Sequence, residues 1–175
     1  MPSLIDIRRR LRSVKSTQQI TKAMKMVAAA KLRRAQERVV GARPYAKLLT
    51  DVLASVTAHA GEVKHPLLAT REEERRVIVV VVAGDRGLAG AFNTNVNRAV
   101  AQLLAGKSWE SVTLVPIGKK ALDYWRRRKN PISEKTYAGI FSKIDYSIAK
   151  EIADSLAVEF EHGRLDAVYV VFNEF

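Results

Sequence analysis

The sequence predicts an α/β protein in which a long N-terminal helix of coiled-coil type protrudes from a domain built around a mainly parallel sheet. Three observations support this prediction. Helix-forming residues run without Gly or Pro from Leu4 to Val40, with apolar residues at heptad spacing. A continuous, mostly β-branched run follows at 77–83. Beyond it, helix-like and strand-like segments alternate, which is typical of a parallel sheet with helical crossovers.

The composition excludes several kinds of functional site. The chain has 175 residues, 47% of them hydrophobic, which is enough to bury a core. It has no cysteine, so disulfide scaffolds, thiol catalysis and cysteine-based zinc sites are excluded. The histidines His59, His65 and His162 lack metal-binding spacing, and no paired carboxylates or Ser/His arrangement is present. We therefore predict no catalytic residue, no cofactor and no metal.

The hydrophobic runs are too short for a membrane span. The longest, at 77–83, is of strand length, whereas a spanning helix needs about 20 apolar residues. The charged N-terminus is not followed by the apolar core of a secretory signal. We expect a protein that stays on the cytoplasmic side.

The N-terminal segment has clear helix signals. Ser3 and Asp6 have capping-box spacing. The first breakers are Gly41 and Pro44, and Pro44 is expected to kink or divide the helix. Apolar spacing resumes after Pro44 and ends near residues 60–61. The predicted seam is apolar at both ends and polar in the middle, and consists of Leu4, Ile7, Leu11, Val14, Gln18, Thr21, Lys25, Ala28, Leu32, Ala35 and Val39.

The charge and length of this helix point to a partner. Of the net charge of +12, residues 1–40 carry +9 and the remaining chain +3. A helix over residues 4–58 would be about 80 Å long, whereas a domain of the remaining size has a diameter of roughly 35 Å. The helix must extend beyond its own domain. Its seam therefore requires a second helix or a surrounding partner to cover it.

The second region predicts a Rossmann-like α/β domain with a mainly parallel sheet. Strands are predicted at 77–83, 112–117 and 167–172. Helical spacing is found around 96–104, at 119–128 and from Ile148 to Phe160, ending near Gly163. The chain is thus divided into residues 1–60, the long basic helix, and residues 61–175, the α/β domain.

Three motifs suggest chemistry, and each has an ordinary structural interpretation. The turn Gly84–Gly90 lies where phosphate loops occur, but its glycines lack the dinucleotide-binding spacing. The segment 101–108 nearly matches a P-loop, but it ends a helix instead of opening one, with Gly106 as a natural C-cap. The basic helix could follow nucleic-acid phosphates, although its cations are interleaved with Met and Ala throughout.

Four segments together resemble the gamma subunit of the F-type ATP synthase. The most specific is Thr17–Lys31, which contains the string ITKAMKMVAAAK. The others are Ile5–Leu11, Ala42–Tyr45 and Asp85–Gly90, and matches continue to Asn173–Phe175. The resemblance therefore covers the whole chain, and its segments occur in the family's order.

The resemblance implies a non-catalytic central stalk of the proton-translocating enzyme. In that family the terminal helices form an antiparallel coiled coil inside a ring of alternating alpha and beta subunits. The α/β domain lies below, near the epsilon subunit and the membrane rotor ring. The implied contacts of the shaft with the ring subunits are at Arg8, Arg9, Arg12, Met24, Lys25, Lys31 and Arg86. Nucleic acid is not an expected partner.

Two differences from the family pattern affect these expectations. The family continues beyond Asn173–Phe175 into further sheet and a long C-terminal helix, so the α/β domain is expected to be incomplete here. The regulatory cysteine pair of the chloroplast form is missing, and no transit peptide precedes Met1. The expected setting is the cytoplasmic face of a bacterial membrane, as a peripheral part of the complex. The alternatives left open are a nucleic-acid-binding protein with a basic helical arm and a nucleotide-binding α/β enzyme.

Overall fold

The computed structural model describes residues 3–59, 65–69, 71–142 and 144–174. Two compact units are present, Met1–Val63 and Lys64–Phe175. The long helix and the following α/β arrangement are both confirmed. The boundary predicted between residues 60 and 61, and the predicted helix end there, lie outside the described residues.

The first unit contains a single helix, α1, over Leu4–His59. Its 56 residues correspond to about 84 Å. The predicted capping box forms: the Asp6 amide donates to Ser3 Oγ at 3.3 Å and the Ser3 amide to Asp6 Oδ2 at 3.2 Å. The predicted division at Pro44 is wrong, since Pro44 lies inside the helix. A proline removes one backbone donor, and good helix formers on both sides maintain the remaining ladder.

The second unit alternates strands and helices as predicted. In chain order it consists of β1 (Arg76–Val82), α2 (Phe92–Gly106), β2 (Ser111–Ile117), α3 (Lys119–Arg127), α4 (Tyr146–Glu161) and β3 (Ala167–Val171). Two short 3₁₀ segments, Pro66–Leu68 and Ile140–Ser142, lie in the connections. The end of α4 near Gly163 is confirmed, and this glycine has a φ of +67°.

The sheet has the order β2-β1-β3, and both strand pairs are parallel. Val79 of β1 is aligned with Leu114 of β2 and Tyr169 of β3. The expectation of a mainly parallel sheet is therefore confirmed. β1 is the central strand, which explains why its sequence is apolar throughout and does not alternate.

Both faces of β1 are buried, each against different helices. Val77, Val79 and Val81 pack with side chains of α2 and α3, including Val100 and Trp125. Val80 packs on the opposite face with Ile152 of α4, in a cluster that also contains Val115 and Tyr137. The unit is thus a three-layer α/β/α arrangement, and its β1–α2 turn projects from the carboxyl end of the central strand.

Gly118 connects β2 to α3 in a conformation and a space that only glycine fits. Its φ is +94°. A Cβ atom there would lie 2.0 Å from the carbonyl oxygen of Ala83, the residue that follows β1. The Gly118 amide donates to the Tyr137 carbonyl at 2.8 Å. The backbones after β1 and β2 can therefore approach each other closely.

Asp85, in the turn after β1, joins three segments through its carboxylate. Oδ1 accepts from the amides of Lys119 at 2.9 Å and Gly139 at 2.8 Å, and Oδ2 accepts from the Phe141 amide at 3.3 Å. Burial alone would raise the pKa of this carboxyl, but the three amide hydrogen bonds outweigh burial and hold the pKa below its ordinary value. The turn is therefore fixed to the start of α3 and to the loop before Ile140–Ser142.

We predict that Gly118→Ala destabilises the second unit by more than about 4 kcal/mol, because the added Cβ collides with backbone that cannot move away. Urea unfolding followed by Trp fluorescence measures the loss. The control is Gly139→Ala, at φ +82° with open space around the Cβ position, where only the backbone strain of about 1–2 kcal/mol is expected. Equal losses of unfolding free energy in the two variants would contradict the close approach of Gly118 to the Ala83 carbonyl.

We predict that Asp85→Asn lowers the free energy of unfolding by about 1–3 kcal/mol at pH 7, because one amide loses its acceptor. Since the folded pKa is depressed, the carboxylate stabilises the fold above the ordinary pKa near 4, and this stabilisation is lost as the pH falls through the folded value. Unfolding experiments between pH 7 and pH 3 should show the two proteins converging. Glu134→Gln, which removes an exposed carboxylate, is the control. If the difference in unfolding free energy between the wild-type protein and Asp85→Asn stayed constant from pH 7 to pH 3, the stabilising role of the Asp85 carboxylate would be disproved.

Candidate functional site

The surface of α1 is the most unusual feature of the described chain. None of its residues from Leu4 to His59 is buried. Among the large apolar residues of the seam, the exposed fraction ranges from 43% at Val39 to 74% at Leu4. Single exposed apolar residues are ordinary, but exposed apolar residues at heptad spacing, as at both ends of this seam, favour coverage by another surface. The seam predicted from the sequence is thus present and uncovered.

The cations expected to contact a partner are accessible on α1. Arg8, Arg9, Arg12, Lys25 and Lys31 are all exposed. No salt bridge to any of these five is found within the described residues, whereas Arg33 of the same helix pairs with Glu37 at 2.9 Å. The five therefore present their positive charge to the solvent.

The predicted contact residues form two groups on α1. Arg8 and Arg12 are four residues apart and share one face. Met24 and Lys31 are seven residues apart, two turns, and also share a face. About 18 Å separates Arg12 from Met24 along the axis. A single small ligand cannot span both groups, so this arrangement suits an extended partner surface.

The stretch from Met24 to Ala30 combines flexible and small side chains. Met24 is 64% exposed and Met26 61% exposed. Methionine adapts to irregular or changing surfaces because its unbranched side chain has three rotatable bonds. The alanines that follow allow close approach of another backbone. The chemistry of this stretch suits contact without a rigid fit.

Arg86, the seventh predicted contact residue, lies in the second unit, in the turn after β1. It is exposed, and its carbonyl accepts from Asn93 Nδ2 at 3.2 Å. Next to it Leu88 has a φ of +58° and is fully exposed. This turn therefore presents one cation and one apolar side chain to the outside.

The same turn is not built to hold a phosphate. Its Gly84 amide already donates to Asn93 Oδ1 at 2.8 Å. The Asp85 carboxylate, adjacent to it, would repel an anion. These contacts agree with the interpretation of Gly84–Gly90 as a tight turn between a strand and a helix.

The segment that resembles a P-loop ends α2 and leads into β2, as expected from the sequence. One detail differs: Gly106 is the last helical residue and does not adopt a left-handed C-cap conformation, because Lys107 continues directly into extended backbone at φ −126°. Lys107 borders a groove of about 750 Å³ that is also lined by Glu72, Glu73, Glu74 and Glu110. Arg71 and Arg75 also line the groove, so its four carboxylates outnumber its three cations, and this charge balance does not favour a bound phosphate.

Glu74 in that groove is held by two aromatic side chains. Its Oε2 accepts from the Tyr169 hydroxyl at 2.7 Å and from Trp109 Nε1 at 3.3 Å. The hydrogen bond from Tyr169 lowers the pKa of Glu74 and outweighs the opposing effect of burial. Glu74 therefore remains a carboxylate with a structural role.

The histidines have local structural roles. His59 Nδ1 lies 2.8 Å from the Ser55 carbonyl and His162 Nδ1 lies 2.7 Å from the Val158 carbonyl, each one turn back on its own helix. His65 Nδ1 accepts from the Leu67 amide at 3.2 Å. Across the described residues there is no cluster of three or more potential metal ligands. In the same part of the chain, none of the helices has the length and hydropathy to cross a membrane.

Two asparagines of α2 were missed by the sequence reasoning. Asn93 organises the β1–α2 turn, and Asn97, only 3% exposed, lies among the buried residues of α2. Their spacing of four residues on one helix face was the available signal. Asn97 also falls next to Val96 and three residues before Val100, both of which face the core. A polar residue at a helix position that faces the core indicates a structural or functional role.

The comparisons with known proteins agree with the resemblance. The sequence profile of the family described as ATP synthase matches residues 3–175. Relatives named ATP synthase gamma chain include proteins from Heliobacterium modesticaldum, 50% identical over 175 residues, Pelotomaculum thermopropionicum, 49% over 175 residues, and Solibacter usitatus, 52% over 179 residues. Each alignment covers the whole of this chain.

The chain spans 59%, 61% and 62% of the length of these three relatives, respectively. The match to the family profile extends over α1 and the α/β unit alike. It thus includes both the exposed seam with its cations and the β1–α2 turn. On this basis the chain belongs to the ATP synthase family.

Proposed function

We propose that this chain acts as part of the central stalk of a proton-translocating F-type ATP synthase, the gamma subunit. The observation that carries the proposal is α1, which exposes the seam from Leu4 to Val39 and buries none of its 56 residues. Such a helix gains most of its stability by packing against a partner. A coiled-coil shaft inside a ring of subunits provides that packing, and relatives of this chain carry the name ATP synthase gamma chain.

In this role the stalk transmits rotation and performs no bond chemistry itself. Ion flow turns the shaft, and the shaft pushes each catalytic beta subunit through its successive conformations. The contact must therefore be strong enough to transmit force and weak enough to move. Exposed ion pairs suit such a movable contact. Each contributes only about 0–1 kcal/mol, and none holds the two surfaces in a single relative position.

We assign the contacts as follows. Arg8, Arg9 and Arg12 meet the inner surface of the alpha and beta ring. Met24 and Lys25 meet the acidic levers of the beta subunits, and Lys31 and Arg86 meet the same subunits near the collar. Support comes from the exposure of all seven side chains. The five α1 cations among them also have no salt bridge within the described residues.

We also propose the epsilon subunit and the membrane rotor ring as partners of the α/β unit. The complex would lie at the cytoplasmic face of a bacterial membrane, with this chain as a peripheral, non-catalytic component. The two alternatives receive less support. The profile match and the named relatives do not favour a nucleic-acid-binding arm. A nucleotide-binding enzyme would need a phosphate loop. The Gly84 amide already donates to Asn93, and the groove at Lys107 has one more carboxylate than cations.

We predict that the full chain is retained by immobilised complexes of F-type alpha and beta subunits, and that Lys25→Gln with Lys31→Gln weakens retention about 3- to 10-fold. Two exposed ion pairs are lost, each worth a fraction of 1 kcal/mol. Retention should also fall with salt concentration, because these pairs are screened. Biolayer interferometry at several salt concentrations measures both effects.

The matched control for this experiment is Lys47→Gln with Arg98→Gln, which removes the same number of charges outside the proposed contacts. We expect less than a 2-fold change for the control pair. Equal weakening by both pairs would indicate non-specific attraction to the net positive charge. It would contradict the assignment of Lys25 and Lys31 as contact residues.

We predict that the isolated chain binds neither ATP nor NAD with micromolar affinity and has no ATPase activity. The Gly84 amide already donates to Asn93, and Lys107 borders a groove in which four carboxylates outnumber three cations. Isothermal titration calorimetry and a phosphate-release assay test this directly. A one-to-one binding signal abolished by Lys107→Ala would overturn the non-catalytic assignment.

A further inference from the structure

The turn between β1 and α2 holds Leu88 in a conformation that leucine rarely adopts. Its φ is +58°, in the left-handed region, where a bulky side chain is strained. The side chain is also fully exposed, so packing within the described part of the chain does not compensate for the strain. A strained residue persists only where the surrounding structure fixes the backbone, and such residues cluster at functional contacts.

Asn93, in the first turn of α2, fixes this backbone at two points. Its Oδ1 accepts from the Gly84 amide at 2.8 Å, and its Nδ2 donates to the Arg86 carbonyl at 3.2 Å. A backbone N–H only donates and a backbone C=O only accepts, so these partners determine which end of the Asn93 amide faces each of them. One planar side chain thus holds both ends of the segment from Gly84 to Arg86.

Other hydrogen bonds fix the rest of the turn. The Gly84 carbonyl accepts from the Lys120 amide at 3.0 Å, and the Asp85 carboxylate accepts from three amides as described above. Further along the chain, the Ala89 carbonyl accepts from the Phe92 amide at 3.2 Å. The backbone before and after the strained leucine is therefore held within the α/β unit.

The two bonds of Asn93 require a side chain that both donates and accepts at short reach. Alanine offers neither group. Aspartate keeps an acceptor for the Gly84 amide, but it places a carboxylate oxygen against the Arg86 carbonyl, and two acceptors repel each other. The bond to Arg86 can therefore be removed with or without the bond to Gly84.

We propose that Asn93 is a positioning residue, which holds the turn so that Arg86 and Leu88 form one preorganised contact with an acidic group beside an apolar surface of a ring subunit. Preorganisation favours binding, because the turn loses less conformational freedom when it meets its partner. Asn93 acts through these two side chains and makes no contact of its own with the partner. The proposal rests on the proposed function, which assigns Arg86 to the alpha and beta ring.

The first test measures the mobility of the turn in the free full chain. The sequence has no cysteine, so Leu88→Cys provides a single thiol for a nitroxide spin label. In this labelled chain we expect Asn93→Ala and Asn93→Asp each to shorten the rotational correlation time of the label at least about 2-fold, because both release the Arg86 carbonyl. Electron paramagnetic resonance spectra measure this time.

The matched control for the first test is Asn95→Ala, which removes an exposed amide two residues along α2. We expect its spectrum to be the same as that of the labelled chain with Asn93 intact. If Asn93→Ala also left the spectrum unchanged, Asn93 would not hold the turn and the proposal would be overturned.

The second test asks whether Asn93 acts through the two contact side chains. Retention by immobilised complexes of alpha and beta subunits is measured in the wild-type chain and in a chain that carries Arg86→Gln with Leu88→Ala. We expect Asn93→Ala to weaken retention about 2- to 5-fold in the wild-type chain and less than about 1.5-fold in the other. Equal weakening in both chains would indicate a general structural effect and would contradict the positioning role.

The two tests separate this proposal from the proposed function. If the wild-type chain is not retained, the proposed function fails, and the ring subunit fails with it as the partner of the turn. If the wild-type chain is retained but Asn93→Ala changes neither retention nor the spectrum, only the role of Asn93 is wrong. If Asn93→Ala unfolds at the assay temperature, Asn93→Asp, which keeps the bond to Gly84, replaces it in both tests with the same expected direction.

Discussion

A helix of 56 residues that buries none of them imposes the main constraint on this protein. Local interactions contribute only modestly to the stability of such a helix. The capping box at Ser3, the Arg33–Glu37 pair and the good helix-forming residues each contribute up to about 1 kcal/mol. Burial of the seam from Leu4 to Val39 would contribute far more, and it needs a second surface. The stability of the helix therefore depends on a surface that covers the seam, and the positive charge along the helix favours an acidic one.

The α/β unit follows a different principle, because its stability comes from a single central strand. β1 supplies side chains to both hydrophobic clusters, with Val79 and Val81 on one face and Val80 on the other. Gly118 and Asp85 then fix the loops at the carboxyl end of the sheet. In many parallel α/β sheets that end holds a ligand. Here its turn is occupied by its own side chains, which leaves Arg86 and Leu88 facing outward.

Two motifs resemble nucleotide-binding sites in sequence but lack the groups that bind phosphate. A phosphate loop depends on free amides at a helix N-terminus. The Gly84 amide donates to Asn93. At Lys107 the helix ends, and the lysine borders a groove with one more carboxylate than cations. Glycine and lysine in the order of a phosphate loop are therefore not sufficient to form a phosphate-binding site. The surrounding side chains decide whether an anion is attracted or repelled.

The sequence by itself determined the order and type of every major element, because the periodicity of apolar residues and the capping signals are local properties. It also located the seam and the α1 cations from Arg8 to Lys31, since their exposure on a helix that buries no residue follows from the pattern alone. Pro44 shows where local rules fall short, because one missing donor was compensated by its helical neighbours. Only the tertiary structure decided the roles of Asp85, Asn93, Asn97 and Gly118. Their partners lie on other segments or in the adjoining turn, and no local pattern records which loops a parallel sheet brings together at one end.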